Sequence, residues 1–234
     1  MTVVYPVESK IEILYPISDD KPVAETFTHL YAILTILEVL RQYLAGRQAT
    51  VLSDQYLYYV QGFPKFRVAP DIMVIFDVKP GGRDSYKIWE EGQVPKVIFE
   101  IASEATQQDD RNGKKTLYEG LGVEEYWLFD PKGKWIEGKL LGYRLVGETY
   151  QEIEDSRSLP LQLRIEVEGE VLGFYREDTG EKLLIPDELA RKLQERNQQL
   201  EREATARKTA EQKVKELESI LASYRDKFGE LPAD

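Results

Sequence analysis

Between residues 22 and 46, in PVAETFTHLYAILTILEVLRQYLAG, the apolar residues Leu30, Ile33, Leu34, Leu37, Leu40 and Leu44 recur at three- and four-residue spacing. That spacing lines one face of a helix, which a sheet could cover. Pro22 suits the first turn of such a helix and Gly46 its C-terminal stop. Residues 2–17 read as short extended segments limited by Pro6 and Pro16. After the helix the period changes. Residues 51–60 are rich in Tyr and Val and are broken by Gly62. IMVIFDV (72–78) and KVIFEIA (96–102) are short apolar runs of the kind that form strands buried on both faces. The intervening KPGGRDSYKIWEEGQ is a polar loop or flap. Residues 106–120 read as a helix closed by Gly120 or Gly122, and EYWLFDP (125–131) as a third buried strand ended by Pro131. A strand–strand–helix–strand order predicts an α/β fold with a mixed central sheet and helices on its faces. From 132 to 186, Gly-punctuated runs predict hairpins: one in KWIEGKLLGYRLVGETY and two more in RIEVEGEVLGFYREDTGEKLL.

The pattern changes again after residue 186. Positions 193, 200, 207, 214 and 221 hold Leu, Leu, Arg, Val and Leu, while 210, 217 and 224 hold Ala, Leu and Tyr. This is a heptad seam interrupted by Arg207, Arg196 and Glu203. The expected organisation is a domain over 1–186, a helix over 187–228 and a short tail over 229–234. The helix is either a solvated rod or a coiled coil through which the chain forms a homo-oligomer.

Composition narrows the chemistry. With 234 residues, the chain can bury one sizeable core and carry an appendage. No run of eighteen apolar residues occurs, so no membrane span is expected, and the N-terminus lacks the pattern of a signal peptide. A cytoplasmic location is the expectation. There is no cysteine, which excludes disulfides, thiolate metal sites and cysteine nucleophiles. The single histidine, His29, excludes a multi-histidine zinc site within one chain. A bound metal should therefore be hard and oxygen-ligated, Mg²⁺ or Mn²⁺. The net charge is −11; residues 187–234 hold 11 acidic and 10 basic residues, so −10 resides in the first 186. That balance disfavours broad nonspecific binding to DNA but leaves room for a local basic groove.

Three features carry candidate chemistry: Pro70-Asp71 before the strand IMVIFDV, Glu100 inside KVIFEIA, and the series Asp110, Lys114, Tyr118 at four-residue spacing on one helical face. Glu100 is the most informative. A carboxylate inside a doubly buried run is costly unless it is paired or metal-bound. If the two strands are neighbours, Asp71 and Glu100 can converge on one cation, with a lysine nearby to steer water or offset phosphate charge. A buried ion pair with Lys or Arg is the structural alternative for Glu100. For Lys114 it is an i,i+4 pair with Asp110. GKKT lacks the upstream Gly of a phosphate-binding loop, because position 108 is Gln. No G-x-S-x-G elbow is present.

VAPDIMVIFDV, YKIWEEG, VPKVIFEIASEAT and DRNGKKTLYEGLGVEEYWLFDP together, with PVAETFTHL ahead of them, resemble the Uma-type restriction endonuclease family, once filed as a domain of unknown function. That family falls within the PD-(D/E)XK nuclease superfamily. The likeness spans roughly residues 10–186. It implies a three-layer α/β/α nuclease core, with Asp71 and Glu100 as metal ligands, Glu25 completing the acidic cluster and the Ile101 carbonyl facing the metal. His29, four residues after Glu25, would share its helix face. Where the superfamily pattern has the lysine of E-x-K, this chain has Ala102. Lys114 is the expected replacement, because Lys115 points about 100° away around the helix. Ser103 would bind metal-held water or phosphate, or cap the following helix. Tyr118 is expected to pack in the core.

The expected function is metal-dependent hydrolysis of phosphodiester bonds, in DNA. The alternative is a non-enzymatic binding or assembly protein that kept the fold. Hydrolysis of another phosphate ester at the same site is a third possibility.

Overall fold

The computed structural model describes residues 13–18, 26–104 and 110–229. The chain divides into two units at Pro186. In the first, helix α1 (Phe27–Tyr43) is followed by β1 (Ala49–Leu52), β2 (Leu57–Tyr58), β3 (Arg67–Val68), β4 (Ile72–Phe76), β5 (Tyr86–Lys87), the short helix α2 (Ile88–Glu91) and β6 (Val97–Ile101). A π-helical turn (Asp110–Lys114) then leads into α3 (Lys115–Leu121). Next come β7 (Glu125–Phe129), β8 (Leu140–Val146), β9 (Thr149–Glu152), β10 (Arg157–Ser158), β11 (Leu163–Glu168), β12 (Val171–Arg176) and β13 (Lys182–Leu183).

The main sheet has the order β1-β4-β6-β7-β8-β9. Its centre, β6–β7, is parallel, and the other pairs are antiparallel. This is the mixed sheet expected from the element order. Successive residues of a strand face opposite sides. Val97, Phe99 and Ile101 therefore join a core under α1 and the four-stranded sheet β10–β13. Ile98, Tyr126 and Leu128 join a second core with Tyr118 of α3. Glu100 belongs to this second face. The three predicted hairpins are β8–β9, β11–β12 and β12–β13.

Several boundaries differ from the sequence expectation. Helix α1 starts at Phe27 rather than near Pro22, because Thr26 caps it: Thr26 is extended and its hydroxyl accepts the His29 N–H. The buried stripe of α1 is Ala32, Ile33, Ile36, Val39 and Leu40, while Leu30 and Leu34 are exposed. Of the expected face, Ile33, Leu40 and Leu44 are buried, and the stripe is shifted away from Leu30 and Leu34. The 51–60 run is split into β1 and β2, since Asp54 takes a left-handed conformation with φ 55°. The supposed flap after β4 contains β5 and α2.

The second unit is one 43-residue helix, α4 (Pro186–Phe228), with no buried residue. Leu193, Leu200, Val214, Leu217, Ile220, Leu221 and Tyr224 are all exposed on it. No helix among the described residues is long and apolar enough to cross a membrane.

Candidate active site

The site forms where β4 begins and β6 ends. Ile72 pairs with Phe99 in the antiparallel ladder, so the next pair outward is Asp71 and Glu100. Directly opposed residues of neighbouring strands project to the same face. The Asp71 N–H donates to Glu100 Oε2 at 3.4 Å, and the Ile101 N–H donates to Asp71 Oδ2 at 2.6 Å. The strand pairing thus locks both carboxylates and the Ile101 main chain together. Asp71 is partly exposed, whereas Glu100 is only 1% exposed.

The π-turn and α3 complete the site from the second face. Tyr126 of β7 donates its hydroxyl to the Asp110 carbonyl at 2.9 Å, which fixes the start of the turn. Lys114 Nζ then lies 2.9 Å from Glu100 Oε2 and 2.9 Å from Asp110 Oδ1. One turn on, the Tyr118 hydroxyl donates to Glu100 Oε1 at 2.7 Å. Asp110, Lys114 and Tyr118 share a face, and the latter two meet Glu100. A π-turn widens the helix at one point and is often found at functional sites. Lys115 points elsewhere, its ammonium over the Tyr143 ring at 3.9 Å. Both readings of Lys114 hold geometrically: it pairs with Asp110 and also reaches Glu100.

Burial pushes the Glu100 carboxyl up to about 8; Lys114 opposes the rise, and Asp71 and Asp110 add to it. Burial acts to lower Lys114, but Glu100 and Asp110 outweigh it and hold the ammonium charged above its ordinary value. Burial next to Glu100 also raises Tyr118, so its hydroxyl keeps its proton and donates. The folded-state value of Glu100 lies above its ordinary 4.5. Its contribution to stability is therefore full below 4.5 and lost as pH rises through about 8. In chelator, the melting temperature of wild type should fall over that window more than that of Glu100→Gln, as parallel thermal melts would show.

Around this centre, His29 of α1 places Nε2 3.8 Å from Asp71 Oδ2. His29 and Ser103 both line a cavity of about 110 Å³ at the same end of the sheet. Glu25 lies outside the described residues. Asp54 was not anticipated. The β1–β4 ladder ends at Leu52–Met73, and the Asp54 N–H then donates to the Pro70 carbonyl at 3.1 Å. Asp54 thereby comes beside Asp71. Partial desolvation and Asp71 raise its carboxyl, and His29 opposes them. The signal for it in the sequence was Ser53-Asp54, a turn-forming pair inside a run otherwise rich in Tyr and Val.

The donor set suits a hard divalent cation: two carboxylates on adjacent strands, one of them desolvated and sharing its lysine with Asp110. Among the described residues no group of three or more His, Asp and Glu is arranged to hold a metal. An ion here would need water and substrate phosphate to fill its shell, which is how Mg²⁺ is commonly held. Glu125 provides a contrast. It is fully buried, with Oε1 accepting Arg144 Nε and Leu159 N–H at 2.9 Å each and Oε2 accepting Trp127 Nε1 at 3.2 Å. Both its oxygens are committed to holding β7 against its neighbours.

The family described as "Uma2: putative restriction endonuclease" matches residues 15–169, and the chain belongs to that family. Among solved structures, a protein from Anabaena variabilis described as "a putative nuclease belonging to DUF820" is similar. It shares 17% identity at a TM-score of 0.43, covering 59% of this chain and 73% of that one. No curated protein matches.

Proposed function

We propose that this chain is a divalent-metal-dependent endonuclease that hydrolyses phosphodiester bonds in DNA. The observation that carries the reading is the meeting of Asp71, Glu100 and Lys114 at one end of the central sheet. Family membership supports nucleic acid as the substrate class. Asp71 and Glu100 would hold Mg²⁺ or Mn²⁺, with the Ile101 carbonyl and Glu25 as further ligands. When bound, the ion lowers the pKa of a coordinated water and offsets charge on the phosphate oxygens. Lys114 opposes the rise in the Glu100 carboxyl through their contact and is placed to donate to a phosphate oxygen as charge builds in the transition state. Tyr118 orients Glu100 through the bond to Oε1, and His29 stands beside Asp71. Asp110 positions Lys114. Ser103 would contact phosphate or water. In a plasmid-nicking assay with Mg²⁺ or Mn²⁺, wild type should cut and Asp71→Ala should not. Equal nicking by both would mean the site is misassigned.

The long helix carries a separate proposal. An exposed apolar seam at heptad spacing supports a homo-oligomeric coiled coil through α4. Sedimentation should give an oligomer for the full chain and a monomer after truncation following Pro186. The non-enzymatic reading draws support from the net −10 of the first 186 residues and from an ammonium already seated on Glu100. It predicts the same oligomer with no cleavage under any divalent metal.

A further inference from the structure

The cavity beside the carboxylates has a second wall of a different character. One side is the N-terminal turn of α1, with Thr26, Thr28 and His29, together with residues 101–104 after β6. The other is the loop after β7, with Pro131, Lys132, Lys134 and Trp135. The strands β6 and β7 are parallel and end side by side, so both loops leave from their carboxyl ends. Open α/β sheets bind ligands in that position.

The Lys132–Trp135 loop is built rather than floppy. Asp130 is fully buried. Its Oδ1 accepts the Lys132 N–H at 3.2 Å, and its Oδ2 accepts the Trp135 and Ile136 N–H groups at 2.6 and 3.1 Å. The Gly133 N–H returns to the Asp130 carbonyl at 3.1 Å, with Gly133 at φ 63°. Lys139 Nζ ties the Pro131 carbonyl to that of Gly169 at 3.0 and 2.8 Å. Loop ordering is therefore complete before any ligand arrives, which lowers the entropic cost of binding.

Among the described residues, neither Lys132 nor Lys134 has a carboxylate partner, and both are exposed. Lys134 Nζ lies 5.7 Å from the centre of the Trp135 ring. Two ammonium groups and the positive end of a 17-residue helix face a small cavity, and among its described lining residues Glu104 is the one acid. Such a wall recognises phosphate.

We propose that Lys132 and Lys134 seat backbone phosphates of the nucleic-acid strand next to the one held at Asp71 and Glu100, with the α1 N-terminus opposite. This rests on the nuclease reading of the site and names the path of its substrate. Lys132 and Lys134 are positioning residues that set binding, not metal occupancy.

The test is fluorescence anisotropy of a labelled duplex oligonucleotide with the full chain in chelator, over a salt series, for wild type and Lys132→Ala/Lys134→Ala. Each phosphate contact contributes about 0.9 to the slope of log affinity against log salt. The double variant should lose about 1.8 of that slope. Between about 50 and 200 mM salt, wild-type affinity should then fall about tenfold more than the variant's. Lys132→Arg/Lys134→Arg should keep the wild-type slope, and melting temperature and Mn²⁺ titration should be unchanged in all variants. An unchanged slope in the alanine variant overturns the proposal, even where metal-dependent cleavage is intact. A reduced slope in a protein that never cleaves supports the phosphate seat while refuting the nuclease reading.

Discussion

Replacing Glu100 with Gln is expected to abolish metal-dependent cleavage, by about a thousandfold or more, while leaving the fold as stable as wild type or more so. A thousandfold corresponds to about 4 kcal/mol of transition-state stabilisation, within the several kcal/mol that a cation at the reacting phosphate supplies. Stability should behave oppositely because of the local charge balance. Lys114 keeps Asp110 as a partner at 2.9 Å when Glu100 is neutral. The Gln carbonyl can still accept the Tyr118 hydroxyl, and the cost of ionising a desolvated carboxyl as pH rises through about 8 disappears. Quantitative nicking assays beside thermal melts would measure both. Full activity in the variant, or a collapse of the fold, would each contradict the account.

Glu125→Ala is expected to do the reverse. That carboxylate binds Arg144, Trp127 and the Leu159 N–H, so its removal strands a guanidinium and two N–H groups. Breaking a buried pair by removing one partner costs about 3–5 kcal/mol. In a unit of this size that lowers the melting temperature by roughly 10 °C. Any cleavage activity should survive per folded molecule at low temperature. Calorimetric melts together with nicking per folded protein would test this. Two buried glutamates on adjacent parallel strands, three residues apart in register, thus differ in their cation: Glu125 is paired with Arg144, whereas the lysine on Glu100 is shared with Asp110.

How much of this was legible beforehand depends on what kind of interaction decided each feature. The buried strands were readable because 72–76, 97–101 and 125–129 are short apolar runs. Glu100 stood out because a charge in such a run needs an explanation. Helical spacing put Lys114 on one face with Asp110 and Tyr118, and the family resemblance tied it to Glu100. The sequence reading puts Pro22 in the first turn of α1, whereas the Thr26 hydroxyl caps the helix by a local bond that leaves no mark in the hydrophobic pattern. The buried face of α1 was legible in part: Ile33, Leu40 and Leu44 are buried, but Leu30 and Leu34 are exposed while Ala32, Ile36 and Val39 pack inward. Asp54 was missed because a left-handed residue inside a Tyr- and Val-rich run leaves no periodic trace. The π-turn at Asp110–Lys114 has no sequence signature either; the Tyr126 hydroxyl donates to its first carbonyl from β7. The loop after β7 was read only as a strand terminator. Its role in presenting Lys132 and Lys134 depends on the Asp130 side chain turning back on its own backbone.

The most direct measurement is calorimetric titration of Mn²⁺ into wild type, Asp71→Ala and Glu100→Gln at neutral pH. The account predicts saturable heat for wild type and none for either variant. Identical heats in all three would show that the cation, if it binds, is held somewhere other than between β4 and β6.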